Sequence, residues 1–157
     1  ARELQFPTSA HAGEGAGPES VWGAIRTLNV DRIGHATRAV EDPVLVDHLA
    51  DARMPLELCP LSNVRTGVVA SVEDHPVRRY FELGIPVSLN TDDPMFFGNS
   101  LVQELMAVHE VHGFDRPEIR RLMDSAVDSS WLSAGAKRDL RTRFHQDQTW
   151  TEEETLA

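Results

Sequence analysis

The sequence of 157 residues has little cysteine, an excess of acidic over basic residues and no long apolar run. No apolar segment approaches the ~20 residues that a membrane helix needs. Cys59 is the single cysteine, so no internal disulfide can form and a cytoplasmic location is expected. The net charge of −10, from 25 acidic and 15 basic residues, has the same sign as a nucleic-acid backbone. We therefore expect neither a membrane nor a nucleic-acid polymer as a partner.

The amino terminus lacks both a starting Met and the basic region plus apolar stretch of a signal peptide. The chain begins inside a hydrophobic pattern, which predicts that it is a fragment of a longer protein. Its composition, 41% hydrophobic and 25% charged, is typical of a globular domain that buries a core.

Short apolar segments alternate with longer amphipathic ones along the chain. The predicted strands are residues 3–10, 31–34, 55–59 and 85–90, and the predicted helices are residues 18–29, 43–53, 75–83, 100–112, 116–125 and 133–145. Residues 61–74 are predicted to form a loop. This alternation favours a parallel sheet with helical crossovers. Four such units fit half of an eight-stranded barrel and also part of a doubly wound sheet, and periodicity alone does not choose between the two.

Polar residues of an unusual kind follow three of the predicted strands. His11 and Glu14 come after the first strand, His35 after the second, and Asp92 with Asp93 after the fourth. In a barrel, the carboxyl ends of the strands converge on one mouth, where active sites lie. Each residue taken singly has an ordinary explanation as a loop or turn residue. Their recurrence at successive strand ends favours a shared site.

The residue types at these strand ends suit a hydrolytic metal site. Imidazole and carboxylate groups bind zinc well, and a catalytic zinc keeps one position open for water, whose pKa it lowers to about 7. A neighbouring Glu or His can then transfer protons. The glycines at positions 13, 15 and 17 lack the Lys and the spacing of a phosphate-binding loop. The pattern therefore predicts hydrolysis at an electron-poor carbon.

Three of these segments, and a fourth between them, resemble the motifs of adenosine deaminases. Residues 11–14, His-Ala-Gly-Glu, resemble the family's HAGE motif, and residues 32–35 resemble the strand end that carries its second active-site histidine. Residues 88–94, Ser-Leu-Asn-Thr-Asp-Asp-Pro, resemble its SLNTDDP motif, and residues 57–63 are similar to its CP-S-N segment. The spacing of the motifs also matches, and the resemblance extends over residues 4–145.

The resemblance implies an α/β fold, namely the C-terminal half (strands five to eight) of a TIM-type (β/α)₈ barrel of the metal-dependent hydrolase kind. Residues 1–112 would be this second half of the barrel. Residues 113–145 would be C-terminal helices packed on it, and residues 146–157 an acidic, disordered tail. The partner of the chain would be the missing N-terminal half of the barrel.

The resemblance also implies a role for each residue of the site. One zinc ion (Zn2+) per complete site would be held by His11 and Asp92. Glu14 would donate a proton to purine N1, which makes C6 electrophilic. His35 would hold the attacking water and help to deprotonate it, and Asp92 would also accept a proton from this water.

Binding of a purine nucleoside substrate is implied in the same way. Asp93 would hydrogen-bond the N7 side of the ring, and Gly13 would contact the substrate. The loop predicted over residues 61–74 lies where it could contact a substituent of the purine. Its polar residues there are Ser62, Asn63, Arg65 and Thr66.

The implied reaction converts adenosine to inosine and ammonia, with adenine or 6-aminodeoxyfutalosine as alternative substrates. The chain departs from the family in one respect. The family's His-x-His pair, which supplies two further zinc ligands, does not occur in this chain. We therefore expect the isolated chain to be inactive. A non-catalytic half-barrel that serves as a structural module is the alternative from another class of protein.

Overall fold

A four-stranded parallel sheet forms the centre of the molecule. The computed structural model describes residue 4 and residues 6–147. The strands are β1 (Ser9–Ala12), β2 (Arg32–His35), β3 (Leu56–Leu58) and β4 (Val87–Leu89), and they lie in the order β1-β2-β3-β4. All three pairings are parallel, as the alternation of strands and helices predicted. Strand order follows chain order without the reversal that defines a doubly wound sheet.

Helices connect the strands and continue after the last one. The helical segments are α1 (Pro18–Gly23) with its π-helical continuation Ala24–Leu28, the 3₁₀ turn Thr37–Glu41, α2 (Pro43–Asp51), α3 (Pro60–Arg65), α4 (Val77–Glu82), α5 (Pro94–Phe97), α6 (Leu101–His112), α7 (Arg116–Ser129) and α8 (Ala134–Gln146). Side-chain caps explain several starts: Ser133 accepts from the N–H of Ala136 at the start of α8, as predicted, and Ser100 caps α6 in the same way. No helix within the described ranges is both long and apolar enough to cross a bilayer.

The hydrophobic core joins the strands to the helices around them. Strands buried within an α/β layer carry nearly continuous apolar runs, and all three residues of β4 are buried. Helix α2 contributes the face with Leu45 and Leu49, one turn apart. Fully buried core residues include Val21, Ile33, Leu45, Leu49, Leu56, Leu58, Tyr80, Val108 and Leu122.

The first strand is shorter than the predicted range of residues 3–10. Regular pairing with β2 begins at Ser9. At the preceding residue, the Thr8 N–H donates to the Asp31 side chain at 2.8 Å, while the Thr8 carbonyl accepts from the Asp31 N–H at 2.9 Å. The preceding Pro7 has no N–H to donate. Because β1 extends to Ala12, His11 lies inside the strand, one residue before its end, and does not follow it. Residues 3 and 5 of the predicted strand lie outside the described part of the chain.

Other boundaries also differ from the prediction. The loop predicted over residues 61–74 is helical at its start, because Pro60 opens α3 and the Asn63 N–H donates to the Cys59 carbonyl at 2.9 Å. Helix α7 continues to Ser129, beyond the predicted end at residue 125. Short segments such as α5 and the 3₁₀ turn had no sequence signal long enough to predict them. The predicted disordered tail falls almost entirely on residues 148–157, which lie outside the described residues.

Candidate active site

The carboxyl end of β2 turns sharply and thereby delivers His35 to the site. His35 and Ala36 both have positive φ angles, 67° and 53°, which non-glycine residues rarely adopt. Two hydrogen bonds hold this turn: the Ala36 N–H donates to the Ala12 carbonyl at 2.9 Å, and the Tyr80 hydroxyl donates to the Ala36 carbonyl at 2.9 Å. Because the surrounding core holds these partners, the unusual backbone persists and the His35 ring is buried.

His11, Glu14 and His35 form one cluster at the strand ends. One ligand atom from each side chain lies within 4.8 Å of those of the other two. The Nε2 atom of His35 is 3.4 Å from a Glu14 carboxylate oxygen, and the rings of His11 and His35 meet edge to face with centroids 4.9 Å apart. Gly34 makes room for this contact, because a Cβ there would lie 2.8 Å from Cδ2 of His11. The predicted association of these three side chains is present in the structure.

Asp92 lies across the same cavity but outside this three-residue cluster. A cavity of about 380 Å³ is lined by both His11 and Asp92. Asp92 has a φ of 59°, and its carboxylate accepts a 2.7 Å hydrogen bond from the Ser62 hydroxyl. The structure therefore brings His11, His35 and Asp92 to one end of the sheet.

The two residues expected to contact substrate have local structural contacts in this chain. The Asp93 side chain is exposed and accepts from the Phe96 N–H at 3.1 Å, which caps α5. Gly13 has a φ of 68°, and a Cβ there would lie 2.7 Å from the Val21 side chain. Its N–H donates to Ser20 Oγ at 2.8 Å. Their contact with substrate stays a prediction.

Two residues of the loop expected near a substrate substituent are instead fully buried. Ser62 and Asn63 have no exposed surface. Ser62 contacts Asp92, and the Asn63 side-chain amide faces the Nδ1 atom of His35 at 3.2 Å. Both residues therefore contact the site residues from behind. Their place in the segment similar to the CP-S-N motif indicated that they belong to the site. It did not indicate that they lie behind the site residues.

Glu104 is a buried carboxyl group that the sequence did not reveal. It accepts from the Leu61 N–H at 3.1 Å and from Asn99 Nδ2 at 2.6 Å. The same Asn99 nitrogen also donates to the Thr91 carbonyl at 3.0 Å. Burial raises the pKa of Glu104. These bonds tie the start of α3 to the segment that carries Asp92.

His75 is also buried, and its environment leads to a pH-dependent contribution to stability. Burial, with further contributions from His112 and His35, lowers the pKa of His75 from 6.5 to about 3. The unfolded chain therefore binds a proton at His75 over a pH range in which the folded chain does not. Because the unfolded state binds more protons there, the free energy of unfolding falls as the pH decreases through this range.

We expect His75→Gln to weaken this pH dependence. Between about pH 6 and pH 4, the wild-type free energy of unfolding should lose up to about 1.4 kcal/mol per pH unit through this one group. The variant should lack that component, whatever its stability at neutral pH. Urea unfolding at several pH values measures both slopes, and equal slopes for the two proteins would contradict the burial argument.

The parallel sheet and the side chains gathered at its carboxyl ends define an α/β domain of the kind that carries enzyme active sites. The sequence profile of the adenosine deaminase family matches residues 1–147. The chain belongs to the adenosine deaminase family. It is 43% identical over 143 residues to the adenosine deaminases of Salmonella heidelberg and Salmonella typhi, alignments that cover 91% of this chain and 43% of each relative. The chain thus spans less than half the length of these curated relatives.

Solved structures of similar proteins are also deaminases or amidohydrolases. The adenine deaminase of Arthrobacter aurescens superimposes with a TM-score of 0.90 at 33% identity, over 95% of this chain and 46% of that one. The N6-methyl-AMP deaminase of Arabidopsis thaliana gives a TM-score of 0.85 at 26% identity, over 95% and 43% of the two chains. An amidohydrolase from Burkholderia ambifaria with bound Zn gives 0.84 at 25% identity, over 96% and 43%.

The donor groups of this site suit a zinc ion. Imidazole nitrogen and carboxylate oxygen are its usual ligands besides thiolate. Cys59 is the one thiol of the chain, and burial raises its pKa, which disfavours the thiolate that a metal would need. The histidines and carboxylates are therefore the groups of this chain that fit the metal.

Proposed function

We propose that the protein to which this chain belongs hydrolyses the 6-amino group of a purine nucleoside, converting adenosine to inosine and ammonia. The observation that carries the proposal is the gathering of His11, Glu14, His35 and Asp92 at the carboxyl ends of three parallel strands. Family membership supports the reaction type, and 43% identity to two adenosine deaminases supports adenosine as the substrate.

Each of the four side chains has a role in this reaction. His11 and Asp92 would hold the zinc ion, which supplies Lewis-acid activation of water at neutral pH. Glu14 donates a proton to purine N1 and so makes C6 electrophilic. His35, beside Glu14 at 3.4 Å, orients the water, and Asp92 accepts its proton. Ser62 holds the Asp92 carboxylate through its 2.7 Å hydrogen bond.

The atoms of the reaction balance without any other reactant. The water oxygen bonds to C6, and one of the two water protons passes by way of Asp92 to the departing amino group. The bond between C6 and the exocyclic nitrogen then breaks, and ammonia leaves. The second water proton leaves the C6 oxygen as the carbonyl forms and returns to Glu14, whose own proton stays on N1 of inosine, so the chain ends in its starting protonation state.

We further propose that this chain forms strands five to eight of a (β/α)₈ barrel, with the C-terminal helices. Sequential parallel strands are the arrangement of such a barrel. Within the described residues, β1 and β4 each pair on one side only, which leaves one open edge at either end of the sheet. The missing half would pair with both edges. It would also supply further metal ligands and the residues that recognise the sugar.

Adenine is the second candidate substrate, because the adenine deaminase structure covers nearly all of this chain with a TM-score of 0.90. The test compares kcat/KM of the complete protein for adenosine, adenine and AMP, measured as ammonia release. We expect adenosine to give the highest kcat/KM and to exceed adenine by at least about 10²-fold, since a site built to hydrogen-bond a sugar discriminates strongly against its absence. A preference for adenine would show that adenine, and not adenosine, is the substrate. If no 6-aminopurine were turned over, the non-catalytic half-barrel would be favoured.

A further inference from the structure

A chain of buried polar side chains runs from the start of α4 to the back of His35. Its members are Thr37, Asn63 and His75, none of which lines the cavity and all of which are buried. Asn63 lies at the centre, with its oxygen 2.6 Å from the Thr37 hydroxyl and 3.3 Å from Nε2 of His75. Its amide nitrogen is 3.2 Å from Nδ1 of His35. The proposed reaction leaves this chain of contacts without a role.

The direction of these hydrogen bonds is fixed at His75, which lies at the opposite end of this series of side chains from His35. The backbone N–H of Val77 donates to Nδ1 of His75 at 3.2 Å. A backbone amide nitrogen is always a donor, so Nδ1 of His75 carries no hydrogen. Burial lowers the pKa of His75 to about 3, so the ring is neutral at physiological pH. Its one ring hydrogen is therefore on Nε2.

That hydrogen sets the orientation of the Asn63 amide. The Nε2–H group of His75 requires an acceptor, and the Asn63 oxygen is the amide atom that faces it. The Thr37 hydroxyl donates to the same oxygen. The reversed amide would place its NH₂ group against the His75 N–H, two donors facing each other inside the protein, which is costly. The amide nitrogen of Asn63 therefore points at His35.

We propose that Asn63, oriented by His75 and Thr37, is a positioning residue that fixes His35 as the tautomer with its hydrogen on Nε2. The Asn63 NH₂ group donates to Nδ1 of His35, so a neutral His35 must carry its hydrogen on the other nitrogen. That nitrogen faces the Glu14 carboxylate at 3.4 Å. His35 thus presents an N–H donor to the cavity.

This tautomer separates the role of His35 from that of His11 within the three-residue cluster. A metal ligand must offer an unprotonated ring nitrogen, and histidines that bind metals usually donate their other ring N–H to an acceptor. His35 has the opposite arrangement, with Nδ1 as an acceptor and Nε2–H toward the cavity. In this tautomer His35 cannot bind a metal through Nε2. It can instead donate a hydrogen bond from Nε2–H to a substrate or to water. The use of that donor in catalysis rests on the proposed function, whereas the tautomer does not.

The test is the tautomer of His35, read from ¹⁵N NMR of the metal-free complete protein labelled at histidine. A protonated and an unprotonated imidazole nitrogen differ widely in ¹⁵N shift, and the spectrum is recorded near pH ~8, where an ordinary imidazole is neutral. His35→Gln identifies its signals by their loss. His109 serves as the internal reference of the opposite kind, because its Nδ1 faces the Phe114 carbonyl at 2.7 Å and must carry the hydrogen. We expect Nε2–H at His35 and Nδ1–H at His109.

A substitution at Asn63 tests whether the amide imposes the tautomer. In Asn63→Asp, of nearly equal shape, a carboxylate oxygen replaces the NH₂ group, so Nδ1 of His35 should become protonated. We expect kcat to fall by about 10–100-fold with little change in KM, the usual size of such an outer-shell effect. Nδ1–H at His35 in the wild type, or an Nδ1 of His35 that stays unprotonated in the variant, would overturn the proposal. Absence of deaminase activity in the wild type would instead refute the proposed function and leave the tautomer result standing.

Discussion

Glu14→Gln in the complete protein should lower kcat for adenosine by about 10²-fold or more, the typical size of a general-acid contribution. The proposed proton transfer to N1 develops as C6 is attacked, so its loss affects the transition state more than the bound substrate. KM should therefore change much less than kcat. Glutamine keeps the shape of Glu14, whose side chain is 27% exposed, but cannot transfer a proton.

Two controls make this result specific. Glu110→Gln removes the same charge from an exposed position on α6 and should leave kcat unchanged. Zinc content, measured by atomic spectroscopy, should be equal in the wild type and in Glu14→Gln, because Glu14 is not one of the proposed ligands. A variant that keeps nearly full kcat would show that Glu14 is not the acid, and a variant that loses its zinc would make Glu14 a ligand.

The isolated chain should release no ammonia from adenosine above the background rate. Of the proposed metal ligands it supplies only His11 and Asp92, whereas catalytic zinc sites usually have at least three protein ligands. The same chain joined to its proposed N-terminal half should be active, with a gain of at least about 10⁴-fold, since the metal and its activated water contribute several kcal/mol to the barrier.

Ammonia release with added zinc measures both forms under the same conditions. The matched control is the complete protein with His11→Ala, which keeps the second half of the barrel but removes one proposed ligand and should be as inactive as the isolated chain. Robust turnover by the isolated chain would contradict the account of the missing ligands and the half-barrel together.

The sequence was sufficient to predict the parallel sheet and the place of the site. Strand and helix periodicity predicted all four strands, and the polar residues after them predicted the strand end at which His11, His35 and Asp92 meet. Local signals also predicted the caps, such as Ser133. These features depend on residues near one another in the chain, which is why a single sequence carries them.

Features that depend on contacts between distant residues were beyond prediction. The turn at His35 and Ala36 has positive φ angles without a glycine, and it depends on the Tyr80 hydroxyl. The residue before β1 donates its backbone N–H to the side chain of Asp31, 23 residues further along the chain. The orientation of Asn63 depends on a histidine whose tautomer is set by yet another residue. None of these leaves a periodic or local signal in the sequence.

The division of the site between metal ligands and proton-transfer groups is tested most directly by the metal itself. Anomalous diffraction at the zinc absorption edge, from crystals of the complete protein, gives the position of the ion and the atoms bound to it. We expect one zinc ion bound by His11 and Asp92 in this half of the site, with Glu14 and His35 nearby and unbound. A zinc ion coordinated by Glu14 or by Nε2 of His35, or none at this end of the sheet, would contradict it.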